Sequence, residues 1–202
     1  MKVVAQSNVQ FTENKEEVID IWKNNIKFKF IDSYKFMDAS LNKLVSYLPS
    51  EKLKVLKSEC LNLNDSQYLL LQQKGIFPYD YVDSWEKLND TNLPSQENFF
   101  SKLTETHISD KSYELAKNIW SMFNINNLGE YSDLYLKTDV LLLTDVFENF
   151  RDTCLQLYKL DPAHYYTSPG LSWDAMLKYT KVRIELLTNM DMLLFVEKGK
   201  KN

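Results

Sequence analysis

The sequence predicts an α+β protein that is predominantly helical, and three observations carry that expectation. Glycine is scarce, with 4 in 202 residues, so few positions favour the turns that interrupt helices. Leucine-rich stretches repeat at helical spacing, most clearly from about Glu130 to Tyr158. One short alternation of apolar and polar residues, Phe28-Lys29-Phe30-Ile31-Asp32, reads as a strand running into a turn. The chain is long enough for one substantial domain or for pieces of two neighbouring ones.

Residues 1 to 27 are weakly patterned: Val3-Val4-Ala5 reads as a strand, and Lys15 to Lys23 as a short amphipathic turn or linker. Ser40 opens a helix through Leu48 that Pro49 stops. The Lys-rich stretch 50–64 reads as a loop or another short helix. Asp65 begins a helix through Gln73, ended by Gly75. From Gly75 to Trp85 the sequence is aromatic and proline-punctuated, which predicts an ordered loop pinned by its rings. Asp90 to Pro94 forms a second loop, and Ser109-Asp110 caps a helix from about Lys111 to Asn124. After a break at 124–129, the long helix 130–158 is expected to bury Leu136, Val140, Leu143, Phe147, Phe150 and Cys154 as one stripe. Asp161-Pro162 ends it. Ser168-Pro169 then provides an N-cap and a first-turn proline for a helix through Lys178, and the basic tail 197–202 is expected to fray. The strongest boundary signal lies at 159–168.

Composition narrows the function. No run of 18 apolar residues occurs, and the first residues are too short an apolar stretch for a secretory signal, so an intracellular protein with no membrane partner is expected. Cys60 and Cys154 are far apart and read as free thiols; His107 and His164 make no zinc spacing with them and read as loop or surface residues. The net charge of -4 disfavours autonomous binding to nucleic acid, whose affinity rests on phosphate neutralisation.

The most informative segment is Tyr135-Leu136-Lys137-Thr138-Asp139, ahead of Val140-Leu141-Leu142-Leu143. A phenol and a carboxylate four apart share one side of a helix. An acid among leucines must be paired, hydrogen-bonded, metal-bound or neutral. The pair therefore marks a helix terminus, with Thr138 or Asp139 as cap, or half of a metal-dependent site. The acidic set Glu130, Asp133, Asp139, Asp145 and Glu148 reads as a solvated face, as do lysines 51–57. Trp85 and Trp173 read as core or loop anchors more readily than as base-stacking platforms. No Gly-rich phosphate loop, Ser-His-Asp arrangement or metalloprotease motif is present.

The run from Gly129 to Glu148 (GEYSDLYLKTDVLLLTDVFE) resembles the protein-primed family B DNA polymerases, especially those of viruses and Polinton or Maverick transposons. So do Leu160 to Lys178 (LDPAHYYTSPGLSWDAMLK), Phe30 to Met37, and the Phe77-Pro78-Tyr79 loop to Trp85. The likeness spans about residues 28 to 199. It implies a partial ribonuclease H-like 3′-5′ exonuclease domain over 28–158 and the helical start of a polymerase palm over 159–202, with 1–27 a poorly defined N-terminal segment. By resemblance, the Tyr-x-x-x-Asp segment is the third exonuclease motif. Asp139 would then be a catalytic and metal-binding residue for magnesium, and Tyr135 would orient the attacking water or scissile phosphate. Ser33 and Tyr34 fall near a Ser/Thr-Leu motif that contacts the single-stranded DNA end, with Tyr34 in place of the leucine.

The implied partners are DNA, as a primer terminus or single strand, and the terminal protein; the implied location is the nucleus or a viral replication site. The first and second exonuclease motifs and the polymerase carboxylate motifs are not found in these 202 residues. One carboxylate does not hold two metal ions, so this chain alone is expected neither to cut nor to copy DNA, its missing segments lying on another chain. The rival expectation is a relic or domesticated helical module that binds DNA or protein without catalysis.

Overall fold

The computed structural model describes residues 10–14, 18–23, 26–185 and 188–199. These are predominantly helical, as expected, with one small sheet. Strands β1 (Gln10–Asn14), β2 (Val18–Lys23) and β3 (Ile26–Lys29) form an antiparallel meander in the order β1-β2-β3. Phe11 pairs with Ile21, and Ile21 in turn with Phe28. The segment expected to be an amphipathic turn, Lys15 to Lys23, is thus mainly strand β2: Val18, Ile19 and Ile21 are β-branched, and their stiff side chains suit a pleated surface better than a helix. The alternation at Phe28 locates β3, which ends at Lys29. Asp32 then accepts a hydrogen bond from the Tyr34 N–H at 2.9 Å and caps a 3-10 turn, Ser33–Lys35. The strand expected at Val3-Val4-Ala5 lies outside the described residues.

The chain divides into two compact units, Met37–Thr153 and the pair of segments Met1–Phe36 and Cys154–Asn202. The central unit holds α1 (Leu41–Ser46), α2 (Lys54–Glu59), α3 (Asp65–Leu71), α4 (Asp110–Met122) and most of α5 (Leu128–Tyr158). Local capping chemistry starts several of these. Ser40 Oγ accepts from the Lys43 N–H, and Ser109 Oγ from the Ser112 N–H. Asn64 and Gln67 form a reciprocal capping box at 2.8 and 3.2 Å. Helix α5 begins at Leu128, two residues before the expected start, with Asn127 Oδ1 accepting from the Glu130 N–H at 2.9 Å.

Two apolar clusters lie along α5. Val45, Leu53, Leu56 and Leu71 pack with Leu142 and Val146, while Ala116, Ile119 and Ile125 pack with Leu128 and Tyr131. Burial of each of the leucines contributes about 1.5–3 kcal/mol. The buried stripe of α5 is therefore Leu128, Tyr131, Thr138, Leu142, Asp145, Val146 and Cys154. The expected stripe fails over its first half: Leu136 is 60% exposed and Val140 54% exposed, and only Cys154 of its members is buried. Both stripes have helical spacing. The helices that dock decide between them, and Thr138 enters the core at little cost because its hydroxyl donates to the Leu134 carbonyl at 2.8 Å.

In the other unit, the Lys29 ammonium sits 3.9 Å over the Tyr166 ring and donates to the carbonyls of Ala163 and Tyr165. Asp161 caps the 3-10 turn Pro162–His164. Helix α6 (Ser168–Thr180) takes Thr167 as N-cap, one residue earlier than expected, and ends on Lys181 in the left-handed conformation. Glu197 to Gly199, expected to fray, belong to α7 (Met190–Gly199); residues 200–202 lie outside the description.

Candidate functional site

Tyr135 and Asp139 sit in the middle of α5, about two and three turns from its start, so neither caps a helix. That removes the capping explanation of the pair. The loop following α3 builds the surroundings of Tyr135. Phe77 stacks on its ring at 5.4 Å, Tyr79 meets it edge-on at 6.1 Å, and the two phenol oxygens are 2.8 Å apart. Gly75 lies against the same ring; a Cβ there would come within 3.3 Å of Tyr135 Cδ2. Below it, Tyr131 donates its hydroxyl to the Ile76 carbonyl at 2.8 Å and packs between Phe77 and Trp120. The aromatic loop is thus pinned by its rings, as the sequence predicts.

Burial pushes the Tyr135 phenol well above its ordinary ionisation range; the Tyr79 hydroxyl pushes it further, and so does Asp139, by its charge and as a hydrogen-bonding neighbour. It is a neutral hydrogen-bonding group. Burial alone raises Tyr131 in the same direction.

Asp139 is largely buried, its side chain 19% exposed, and its Oδ2 lies 3.6 Å from the Lys74 ammonium. Its Oδ1 is buried and has no hydrogen-bond partner among the described residues. A buried oxygen left in this state costs about 1–3 kcal/mol. An open carboxylate oxygen fits one position of a hard-cation ligand set. The rest of such a set is missing: among the described residues, no group of three or more His, Cys, Asp or Glu is placed to hold a metal ion. These residues therefore do not fit a two-metal centre on their own.

Ser33 and Tyr34 belong to the other unit, where they occupy the Asp32-capped turn, with Tyr34 60% exposed. Sequence reasoning missed Lys74 and Tyr79 as partners of the pair. The one signal for them was the run of rings following Lys74-Gly75; nothing in spacing ties that loop to α5.

It also placed Asp145 on a solvated face. Asp145 is 2% exposed and accepts from the N–H groups of Val55 at 2.8 Å and Leu56 at 2.9 Å. A carboxylate borrowed from α5 thus caps α2, which has no cap of its own. Trp85 and Trp173, expected as anchors, are 84% and 54% exposed. His107 and His164 are exposed, and both cysteines are free, each with its thiol raised chiefly by burial.

Among the described residues, no helix is long and apolar enough to cross a membrane. Comparison of the chain with protein-family models, with curated proteins and with solved structures found no match.

Proposed function

We propose that this chain is a piece of a protein-primed family B DNA polymerase, and that Tyr135 and Asp139 are the part of its 3′-5′ editing centre carried here. One observation supports this most. A carboxylate oxygen is buried in mid-helix with no hydrogen-bond partner among the described residues, one turn beyond a phenol held between Phe77 and Tyr79. Natural cores rarely leave such an oxygen empty, and functional sites are where exceptions concentrate. On this reading, residues 28–158 belong to a ribonuclease H-like domain, and the segment from 159 onward opens a palm. DNA and a terminal protein are the partners. Because the ligand set is incomplete, the chain by itself does not hydrolyse or extend DNA.

Two measurements test this. A 5′-labelled single strand incubated with purified protein and magnesium stays full-length; shortening that Asp139→Ala abolishes would overturn the claim of inactivity. The adjoining reading frame should encode an Asp-x-Glu segment upstream and a Tyr-x-Asp-Thr-Asp segment downstream, and their absence would overturn the polymerase assignment.

The Lys74–Asp139 ion pair favours a second reading, a helical module that binds DNA or protein without catalysis. There the lysine is simply the structural counter-ion of the acid. Lys74→Met separates the two when urea unfolding is repeated with added magnesium: the stability lost with the lysine is recovered by the ion if Asp139 is a metal ligand, and is not if Lys74 is only its structural counter-ion.

A further inference from the structure

Helix α7 (Met190–Gly199) carries apolar residues on every side, yet none of its residues is buried. A helix of that kind ordinarily lies inside a core. Met190, Met192, Leu193, Leu194, Phe195 and Val196 are all exposed. Together they leave on the order of 500 Å² of apolar surface to solvent, the upper end of what a monomer shows as one patch. The start of the helix is held locally, with Asn189 Oδ1 accepting from the Asp191 N–H at 2.8 Å. We propose that α7 is a self-association surface, covered by the α7 of a second copy of this chain packed antiparallel across a two-fold axis. This goes beyond the polymerase reading and does not rest on it.

Exposure is graded around the helix. Leu193 and Val196, on one side, are the least exposed of the six, while Leu194 and Phe195, the latter 73% exposed, lie on the other. That outward side pairs with itself. Positions 191, 194, 195 and 198 share one face, being spaced three, four and seven residues apart. In order they are an acid, two apolar residues and a base: Asp191, Leu194, Phe195 and Lys198. A two-fold axis between Leu194 and Phe195 sets Leu194 of each copy against Phe195 of the other, and Asp191 of each against Lys198 of the other. The face is thus its own complement, as an isologous interface requires. Asp191 and Lys198 are exposed and have no ion-pair partner among the described residues. A foreign surface of a single charge would suit one end of the face and repel the other, whereas an antiparallel copy suits both and also opposes the two helix dipoles. The apolar area falls short of the roughly 800 Å² per partner of a stable complex, so the dimer is weak and reversible.

The test is sedimentation velocity of the whole chain from about 1 μM to about 200 μM, where a weak interface fills. The unaltered chain is expected to shift from monomer to dimer across that range. Phe195→Ala should weaken the dimer at least tenfold, while Leu103→Ser, at a 94% exposed residue of the other unit, should leave it unchanged. Asp191→Lys and Lys198→Glu should each be monomeric alone, since each sets like charges across the axis. Their equimolar mixture should dimerise, because every contact across the axis is then between opposite charges. Both variants keep a net negative charge, so mixing creates no general attraction between them. All these positions are exposed, and thermal unfolding should show each variant folded.

Three results would overturn the proposal: an unaltered chain that stays monomeric to the top of the range, equal weakening by Leu103→Ser and Phe195→Ala, or a mixture that associates no better than either charge variant alone.

Discussion

Asp139 and Asp145 lie six residues apart on the same helix, both withdrawn from solvent, and their surroundings treat them in opposite ways. Both oxygens of Asp145 are used, one on the Val55 N–H and one on the Leu56 N–H. Asp139 has a lysine at 3.6 Å on one oxygen, and the other has no hydrogen-bond partner among the described residues. The difference separates a structural acid from one left available. Where an acid meets two orphan donors of a helix start, burial of its charge is offset and the site is closed. Where a carboxylate keeps an empty oxygen beside a neutral phenol, the fold has spent stability there without completing the hydrogen bonds.

The contrast can be broken most forcefully at Asp145. Asp145→Ala removes two charge-assisted hydrogen bonds and strands the N–H groups of half-buried Val55 and buried Leu56, so a loss of about 2–4 kcal/mol is expected from urea unfolding, with the slope unchanged. A loss below 1 kcal/mol would show that α2 does not depend on α5 for its cap.

Alkaline unfolding tests the aromatic side of the pair. Tyr131 and Tyr135 favour the neutral phenol in the fold, their ionisation raised above the ordinary 10.0. The unfolded chain therefore ionises first. Stability contributed by these groups is whole below about pH 10 and falls as pH climbs past it. A urea midpoint that stays flat to pH 11 would contradict the arrangement.

Smaller changes refine the picture. Tyr79→Phe deletes the hydroxyl beside Tyr135 and should cost about 0.5–1.5 kcal/mol while bringing the Tyr135 titration, followed by ultraviolet absorbance, closer to its ordinary range. Gly75→Ala places a methyl 3.3 Å from the Tyr135 ring and should cost about 0.5–1 kcal/mol as the ring gives way. The smallest effect belongs to Asp139→Asn. It gives up a partly exposed ion pair but relieves an unpartnered charged oxygen, so a net change within about 0.5 kcal/mol is expected from the same urea experiment. A loss matching that of Asp145→Ala would erase the distinction between the two acids.

Much of the helical framework was legible in the chain because its signals are local. Ser40 and Ser109 cap as their side chains dictate, Pro49 follows a helix stop, and the rings between Phe77 and Tyr81 order their own loop. The strand β2 was missed because six residues of mixed pattern carry little periodicity, and its pairing with β1 and β3 supplied what the segment lacked. The pairing of Tyr135 with Asp139 was legible from a spacing of four. Lys74, Tyr79 and the role of Asp145 were not, since each depends on a contact between segments about 55 to 90 residues apart.

By itself the amino-acid order determined that α5 is one long helix bearing a phenol and an acid on a common side, since capping and periodicity act within a few residues. Which side of that helix faces inward was decided only by tertiary structure. Leu136 and Val140 are as apolar as Leu142 and Val146, and the chain holds both sets at helical spacing. The docking of α1, α2 and α3 against Leu142 and Val146 selected one face, closed Asp145 with two backbone donors, and left Asp139 with an oxygen to spare.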